Sequence, residues 1–155
     1  MKKYLKRMLV FTLSSFMAFA TACGDDPDPT PEEKKGLKDT DIVLVSNGQS
    51  DYTVVVPTES TAAEDYAADM LITQFERATG VSLSVREDNG QKLDANQKVL
   101  SIGRTSIMQD SGLKVEESEL TCDGYKLKRY GETVLLCGAE DSGTIYSVID
   151  FLHYQ

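Results

Sequence analysis

The sequence predicts an α+β fold: one mixed β-sheet of about five or six strands, with two main helices, over 61–79 and 143–154, packed on one face. Three observations predict it. A long stretch, Thr61 to Gly80, has helical apolar periodicity. Short β-branched runs stand before and after that stretch and again in the second half. A second helical pattern with a single apolar stripe closes the sequence.

The globular part is expected over residues 39–155. Ile42 to Val45 and Tyr52 to Val56 are β-branched runs separated by turn chemistry, Ser46-Asn47-Gly48-Gln49-Ser50-Asp51, and read as a hairpin with a longer loop. In the long helix Ala63, Tyr66, Ala67, Met70, Leu71, Phe75 and Ala78 fall on one face. Ala62, Glu64, Asp65, Asp69, Thr73, Gln74, Glu76 and Arg77 take the other. Thr61 with Glu64 makes a capping box, and Gly80 supplies a left-handed stop. Such a helix spans roughly 25 Å, enough to cross a small sheet. Val81, Leu83 and Val85 alternate with polar residues as a half-buried strand. If the strands on either side of the helix are parallel, the unit from Tyr52 to Arg86 crosses over right-handedly.

Glu87 to Gln97 is a polar loop, and Val99 to Ile102 is an inner strand ending at Gly103. Thr105 to Gly112 holds one or two helical turns, stopped by Ser111-Gly112, and Leu113 to Thr121 is acidic and irregular. Tyr125 to Tyr130 and Thr133 to Cys137 flank Gly131-Glu132, a pair suited to a type II′ turn. That turn pairs Leu127 with Leu136 and Arg129 with Val134, so Tyr125, Leu127, Val134 and Leu136 share the core face. Ser142 or Gly143 caps the last helix, whose stripe is Ile145, Val148, Ile149 and Leu152. The same register keeps Cys122 and Cys137 roughly 13 Å apart along the strand direction, against a disulfide limit of about 7 Å between Cα atoms. No disulfide is expected, and Cys137 packs as a small apolar side chain on the hairpin face opposite Leu127.

Residues 1–22 stand outside the fold. Lys2, Lys3, Lys6 and Arg7 form a basic head, and Met8 to Ala20 is an apolar run too short for a comfortable membrane span. Ala20-Thr21-Ala22-Cys23 resembles the lipobox of bacterial lipoproteins. The resemblance implies cleavage before Cys23 and a diacylglycerol on its sulfur, hence a membrane anchor. Residues 23–38 follow as a lipidated cysteine and a tether rich in Pro, Asp, Glu and Lys that cannot build a core. Its acidic pair after Gly24 resembles the surface-export signals of some Gram-negative lipoproteins, and equally suits a solvated spacer. Removing residues 1–22 takes four of the 16 basic residues and none of the 25 acidic ones, leaving 12 against 25 and a formal charge of −13. That charge argues against nucleic acid and against anionic headgroups, and is silent on neutral sugars.

The sequence assembles no active site, cofactor site or metal site. Gly138 to Thr144 has the glycine spacing of a phosphate loop between a strand and a helix, but lacks the lysine and carries Glu140 and Asp141. It reads as a tight strand-to-helix connection. Glu116-Glu117 and Glu140-Asp141 lie in polar stretches without aromatic platforms and read as solvated rather than as a glycosidase pair. The single histidine, His153, is two residues from the end of the sequence, and no G-x-S-x-G elbow is present.

Two blocks together resemble a known family. The first is TVVVPTESTAAEDYAADMLITQFERATGVSLSV. The second is LSIGRTSIMQDSGL followed by DGYKLKRYGETVLLCGAEDSGTIYSVIDFL. In order, over about residues 41–154, they are similar to the N-terminal accessory domain of bacterial α-glucuronidases and β-hexosaminidases. The departures are Cys137, where the family has a small residue, and Ser142, near which it has a basic one. The resemblance implies a mixed sheet with helices, preceding a (β/α)8 catalytic barrel that holds the catalytic carboxylates. No catalytic residue carries over to this chain, which ends where the barrel would begin. The expectation is a non-catalytic N-terminal domain of a lipid-anchored, glycoside hydrolase-like protein of carbohydrate metabolism, at the bacterial outer membrane or cell surface. The alternative is a free-standing surface lipoprotein that binds glycan.

Location is expected to depend on Cys23. Cys23→Ser should leave an uncleaved or soluble precursor that no longer labels with radioactive palmitate. Unchanged labelling would remove the lipoprotein reading.

Overall fold

A computed structural model of the protein describes residues 42–153. The expected signal peptide, the lipidation expected at Cys23 and the expected tether lie outside the described residues. Five strands and three helices follow in the order β1 (Thr53–Val56), α1 (Ala62–Thr79), β2 (Ser84–Glu87), β3 (Val99–Ile102), α2 (Ser106–Asp110), β4 (Tyr125–Tyr130), β5 (Thr133–Gly138) and α3 (Asp141–His153). The strands form one sheet in the order β2-β1-β3-β5-β4, parallel throughout except for β4, which runs antiparallel to β5. The fold is therefore mixed α+β, as the sequence predicts.

Helices α1 and α3 share one face. Leu71 and Phe75 of α1 and Val148 and Phe151 of α3 belong to a single core with Val54, Val56, Leu100, Ile102, Val134 and Leu136, the alternate residues of three adjacent strands. Both helices follow parallel strands, so they run side by side in the same direction. The Thr61 hydroxyl donates to Asp141 Oδ1 at 3.1 Å where they start. The opposite face is covered by short pieces. Val55, Val99, Leu135 and Ile107 of α2 form one cluster, edged by Leu93 from the loop after β2. Met108, Val115, Cys137 and Ala139 form another.

The β4–β5 hairpin has the expected register, with Leu127 opposite Leu136, Arg129 opposite Val134 and Lys126 opposite Cys137. Gly131 has φ +59° and Glu132 does not have positive φ, as a type II′ turn requires. Cys122 and Cys137 are free, the first exposed and the second buried against Met108 and Val115.

Four local expectations are corrected. Residues 42–45 form no strand; the nearest bridge is the isolated Ser46–Gln49 pair that follows them. Both edges of β1 are taken by the parallel strands β2 and β3, so no edge is left for a hairpin partner. Ile42, Leu44 and Val45 pack instead into the helix-side core. The buried stripe of α1 is also turned: Glu64, Ala67, Ala68, Leu71 and Phe75 are buried, Tyr66 is 58% exposed and Ala78 is exposed. The cause is the place of Glu64, described below. Strand β2 begins at Ser84, after Val81 and Leu83 have entered the core, and leaves Val85 47% exposed at the sheet edge. Finally, α3 starts at Asp141 and buries Thr144, Ser147, Val148 and Phe151, with Ile145, Ile149 and Leu152 only partly covered. Its first turn is pressed against the β5 end, where only small side chains fit. Their hydroxyls are satisfied locally: Thr144 accepts from Gly138 N–H at 3.1 Å, and Ser147 donates to Thr144 O at 2.7 Å.

No helix among the described residues is long and apolar enough to cross a membrane.

Leu71 is fully buried at the centre of α1. Leu71→Ala is expected to cost about 2–5 kcal/mol in urea unfolding. A loss below about 1 kcal/mol would contradict its packing.

Candidate functional site

In open sheets with parallel strands, ligands sit outside the carboxyl ends of the strands, where neighbouring connections leave to opposite faces. Here β1 leads into α1 on one face and β3 leads into α2 on the other, so that place lies at the exits of β1 and β3. It is filled by Glu64. One carboxylate oxygen accepts from Thr61 N–H at 2.9 Å, closing the capping box, and Glu64 N–H donates back to the Thr61 hydroxyl at 3.2 Å. The other oxygen accepts from Arg104 N–H at 3.1 Å, directly after β3. Gly103, at φ +74°, makes room: a Cβ there would stand 1.9 Å from Glu64 Oε1. The Arg104 guanidinium then donates to Val115 O at 3.2 Å and Ala139 O at 2.9 Å, tying the far-side loop to the end of β5. This is a fully partnered structural junction, and it leaves no reactive group aimed into a cleft.

The glycine-spaced turn Gly138–Thr144 is a tight connection, as its sequence predicts. A Cβ on Gly138 would meet Thr144 N at 2.1 Å, and one on Gly143 would meet Gly124 O at 2.3 Å. The space a phosphate would need is occupied by backbone. The acidic residues behave as expected too: Glu116, Glu117, Glu140 and Asp141 are exposed. Among the described residues no three His, Cys, Asp or Glu side chains gather where a metal could bind. His153 is exposed on the last turn of α3.

Asp88, at the exit of β2, is the other polar junction. It accepts from the Ser106 hydroxyl at 2.6 Å, from Ser106 N–H, and from Gly90 N–H at 3.1 Å. Partial burial pushes its carboxyl up, but these hydrogen bonds and the nearby Arg86 charge outweigh it and hold the group below the usual carboxylate range.

Among the described residues, a feature with room for a partner is an apolar valley between the C-terminal halves of α1 and α3, of about 620 Å³. Helix α1 supplies Met70, Gln74 and Phe75, helix α3 supplies Ile149, Leu152 and His153, and Leu44 and Val45 complete the lining. Its size and its mostly apolar wall with few polar groups suit a binding surface. Sequence reading missed it. Helical periodicity alone puts Met70 and Ile149 on a buried stripe, and the reason both stay half-covered is tertiary: it lies in how two distant helices pack side by side.

Compared with known protein families and with characterised proteins, the chain matches none.

The two thiols are expected to differ. Burial, with the Glu64 charge adding and the Arg104 charge opposing, pushes the Cys137 thiol from 9.0 up to about 11. A raised folded-state value means its contribution to stability is intact below pH ~9 and is lost as pH rises toward ~11. Cys122 should react with a thiol reagent in the native chain and Cys137 only on unfolding. Cys137→Ala should remove that share of the alkaline stability loss. Equal native reactivity of both cysteines would contradict the burial.

Proposed function

We propose that this chain carries the non-catalytic N-terminal domain of a lipid-anchored, glycoside hydrolase-like protein, and that the valley between α1 and α3 is where a neighbouring (β/α)8 domain docks. The observation that supports it most is the valley, which no described residue covers. The 88–98 loop and α2 cover the other face of the sheet, whereas the helix side leaves Met70, Ile149 and Leu152 half-covered around the valley. Contiguous apolar surface of this kind marks interaction sites. The ordered resemblance over residues 41–154 supplies the kind of neighbour. In this reading the chain itself performs no catalysis. It buttresses the barrel and, through lipid on Cys23 and the 24–38 tether, holds it at the bacterial outer membrane or cell surface.

A second reading rests on a different observation. Tyr66 is 58% exposed and Tyr146 is 47% exposed, on the outer sides of adjacent helices. Aromatic faces on a rigid element suit stacking against sugar rings, so this surface fits a free-standing glycan-binding lipoprotein.

Reading the DNA beyond the Gln155 codon separates the two. A (β/α)8 barrel, in frame or after a frameshift, is the expected outcome. A stop followed by an unrelated gene, with glycan-array binding lost in Tyr66→Ala/Tyr146→Ala, would replace the first reading by the second.

A further inference from the structure

The tripeptide Asn-Gly-Gln occurs twice, at Asn47-Gly48-Gln49 and at Asn89-Gly90-Gln91. An asparagine followed by glycine can modify itself. The following backbone nitrogen attacks the side-chain carbonyl carbon, and glycine offers no side chain to block the approach. The structure holds the two copies differently.

Asn47 and Gly48 are the central residues of a two-residue turn, at φ +53° and φ +73°. Asn47 is one of the few residue types that tolerate this left-handed backbone. The turn is closed by one bridge alone, Ser46 N–H to Gln49 O at 2.9 Å and Gln49 N–H to Ser46 O at 3.0 Å, with no strand ladder behind it. Opening it breaks one pair of bonds, and segments held by so few bonds open at low cost. Asn47 is exposed, and nothing stands within 4 Å of the place a Gly48 side chain would take. The Gly48 N–H has no hydrogen-bond acceptor among the described residues.

Asn89 is exposed as well. The nitrogen that would attack it, however, is committed: Gly90 N–H donates to Asp88 Oδ1 at 3.1 Å. Asp88 is in turn fixed by the backbone N–H and hydroxyl of Ser106. The amide must lose its proton to become a nucleophile. At Gly90 that would leave two negative groups facing each other and would give up a hydrogen bond to a charged acceptor.

We infer that Asn47 is a self-modification site, converting to aspartate and isoaspartate in the folded protein, while Asn89 in the same tripeptide is protected. In the first step the Gly48 N–Asn47 Cγ bond forms and the Cγ–Nδ2 bond breaks. Ammonia leaves with the proton shed by Gly48 N, and a cyclic imide remains. Water then opens the imide at either carbonyl, giving aspartate or isoaspartate, each with a new negative charge. Isoaspartate routes the main chain through an extra methylene, which a two-residue turn closed by the Ser46–Gln49 pair cannot hold. The conversion therefore loosens the segment carrying Leu44 and Val45, which line the valley between α1 and α3.

The identical tripeptides provide an internal control. The whole chain is aged in warm neutral buffer, native and in urea, and proteolytic peptides are followed by mass spectrometry for the gain of about one mass unit. In the native chain the Asn47 peptide should convert at least about tenfold faster than the Asn89 peptide, the weight of one hydrogen bond to a charged group. In urea the two should convert at similar rates. Equal native rates, or a faster Asn89, would overturn the inference. So would a native ratio that persists unchanged in urea, because the difference would then come from the flanking sequence and not from the fold.

Discussion

Glu64 holds two secondary elements with one carboxylate. Its two oxygens face different parts of the chain: the start of α1 and the exit of β3, forty residues later. A helix cap is ordinarily a local device that stops orphan N–H groups from facing water unpaired. Here the cap is also a tertiary tie, so the angle of α1 over the sheet and the path of the chain after β3 are set together. The burial of a carboxylate is tolerated because each oxygen is hydrogen-bonded. Gly103 is needed for the same reason, since any side chain there would displace the carboxylate. The rotation of α1 follows: with Glu64 turned inward, Ala68 turns in behind it and Tyr66 turns out.

What was legible in the sequence was local. The capping box, the Gly80 stop, the Gly131-Glu132 turn and the hairpin register each depend on residues a few positions apart, and each took its expected place. The register argument also placed Cys137 on the hairpin face opposite Leu127, offset along the strand from Cys122. The errors were non-local. Residues 42–45 carry the β-branched signature of a strand, but strand formation needs a free edge, and β1 had given both of its edges to partners far along the chain. Glu64 was assigned to the polar face because a carboxylate is costly to bury. Only the approach of Arg104 N–H makes it affordable. In α3, Thr144 and Ser147 were passed over in favour of Ile145 and Ile149, since nothing in the sequence shows that the helix start is wedged between Gly124 and Gly138. The candidate site was the least legible of all. Cys23 lies outside the described residues, and the valley exists only because two distant helices lie side by side.

The two faces of the sheet solve the same problem with different means. On one side two helices bring long apolar stripes. On the other a five-residue helix and two loops do the work, and loops bring backbone polar groups that need partners. Asp88 gathers the 88–91 turn and the start of α2. The Thr133 hydroxyl, within 2.8 Å of Asp94 O, holds the loop onto β5. The Tyr52 hydroxyl reaches Glu132 at 2.6 Å and joins the entry of β1 to the hairpin turn. Burial and the Glu132 carboxylate both push that hydroxyl far above its ordinary range, so it stays a donor at any physiological pH.

The strand order has a consequence in time. Apart from the hairpin, every pairing joins segments separated by dozens of residues: β1 waits for β2 and then β3, and β3 waits for β5. Loop closure must be completed before any of these pairings is rewarded, which places the chain among the slower folders of its size. The apolar stripe of α1 finds its cover only when α3, the last of the described helices, arrives. A ribosome releasing residues 42–153 would therefore hand on a largely unfolded segment until α3 had emerged, a state in which that segment can still be threaded through a narrow pore.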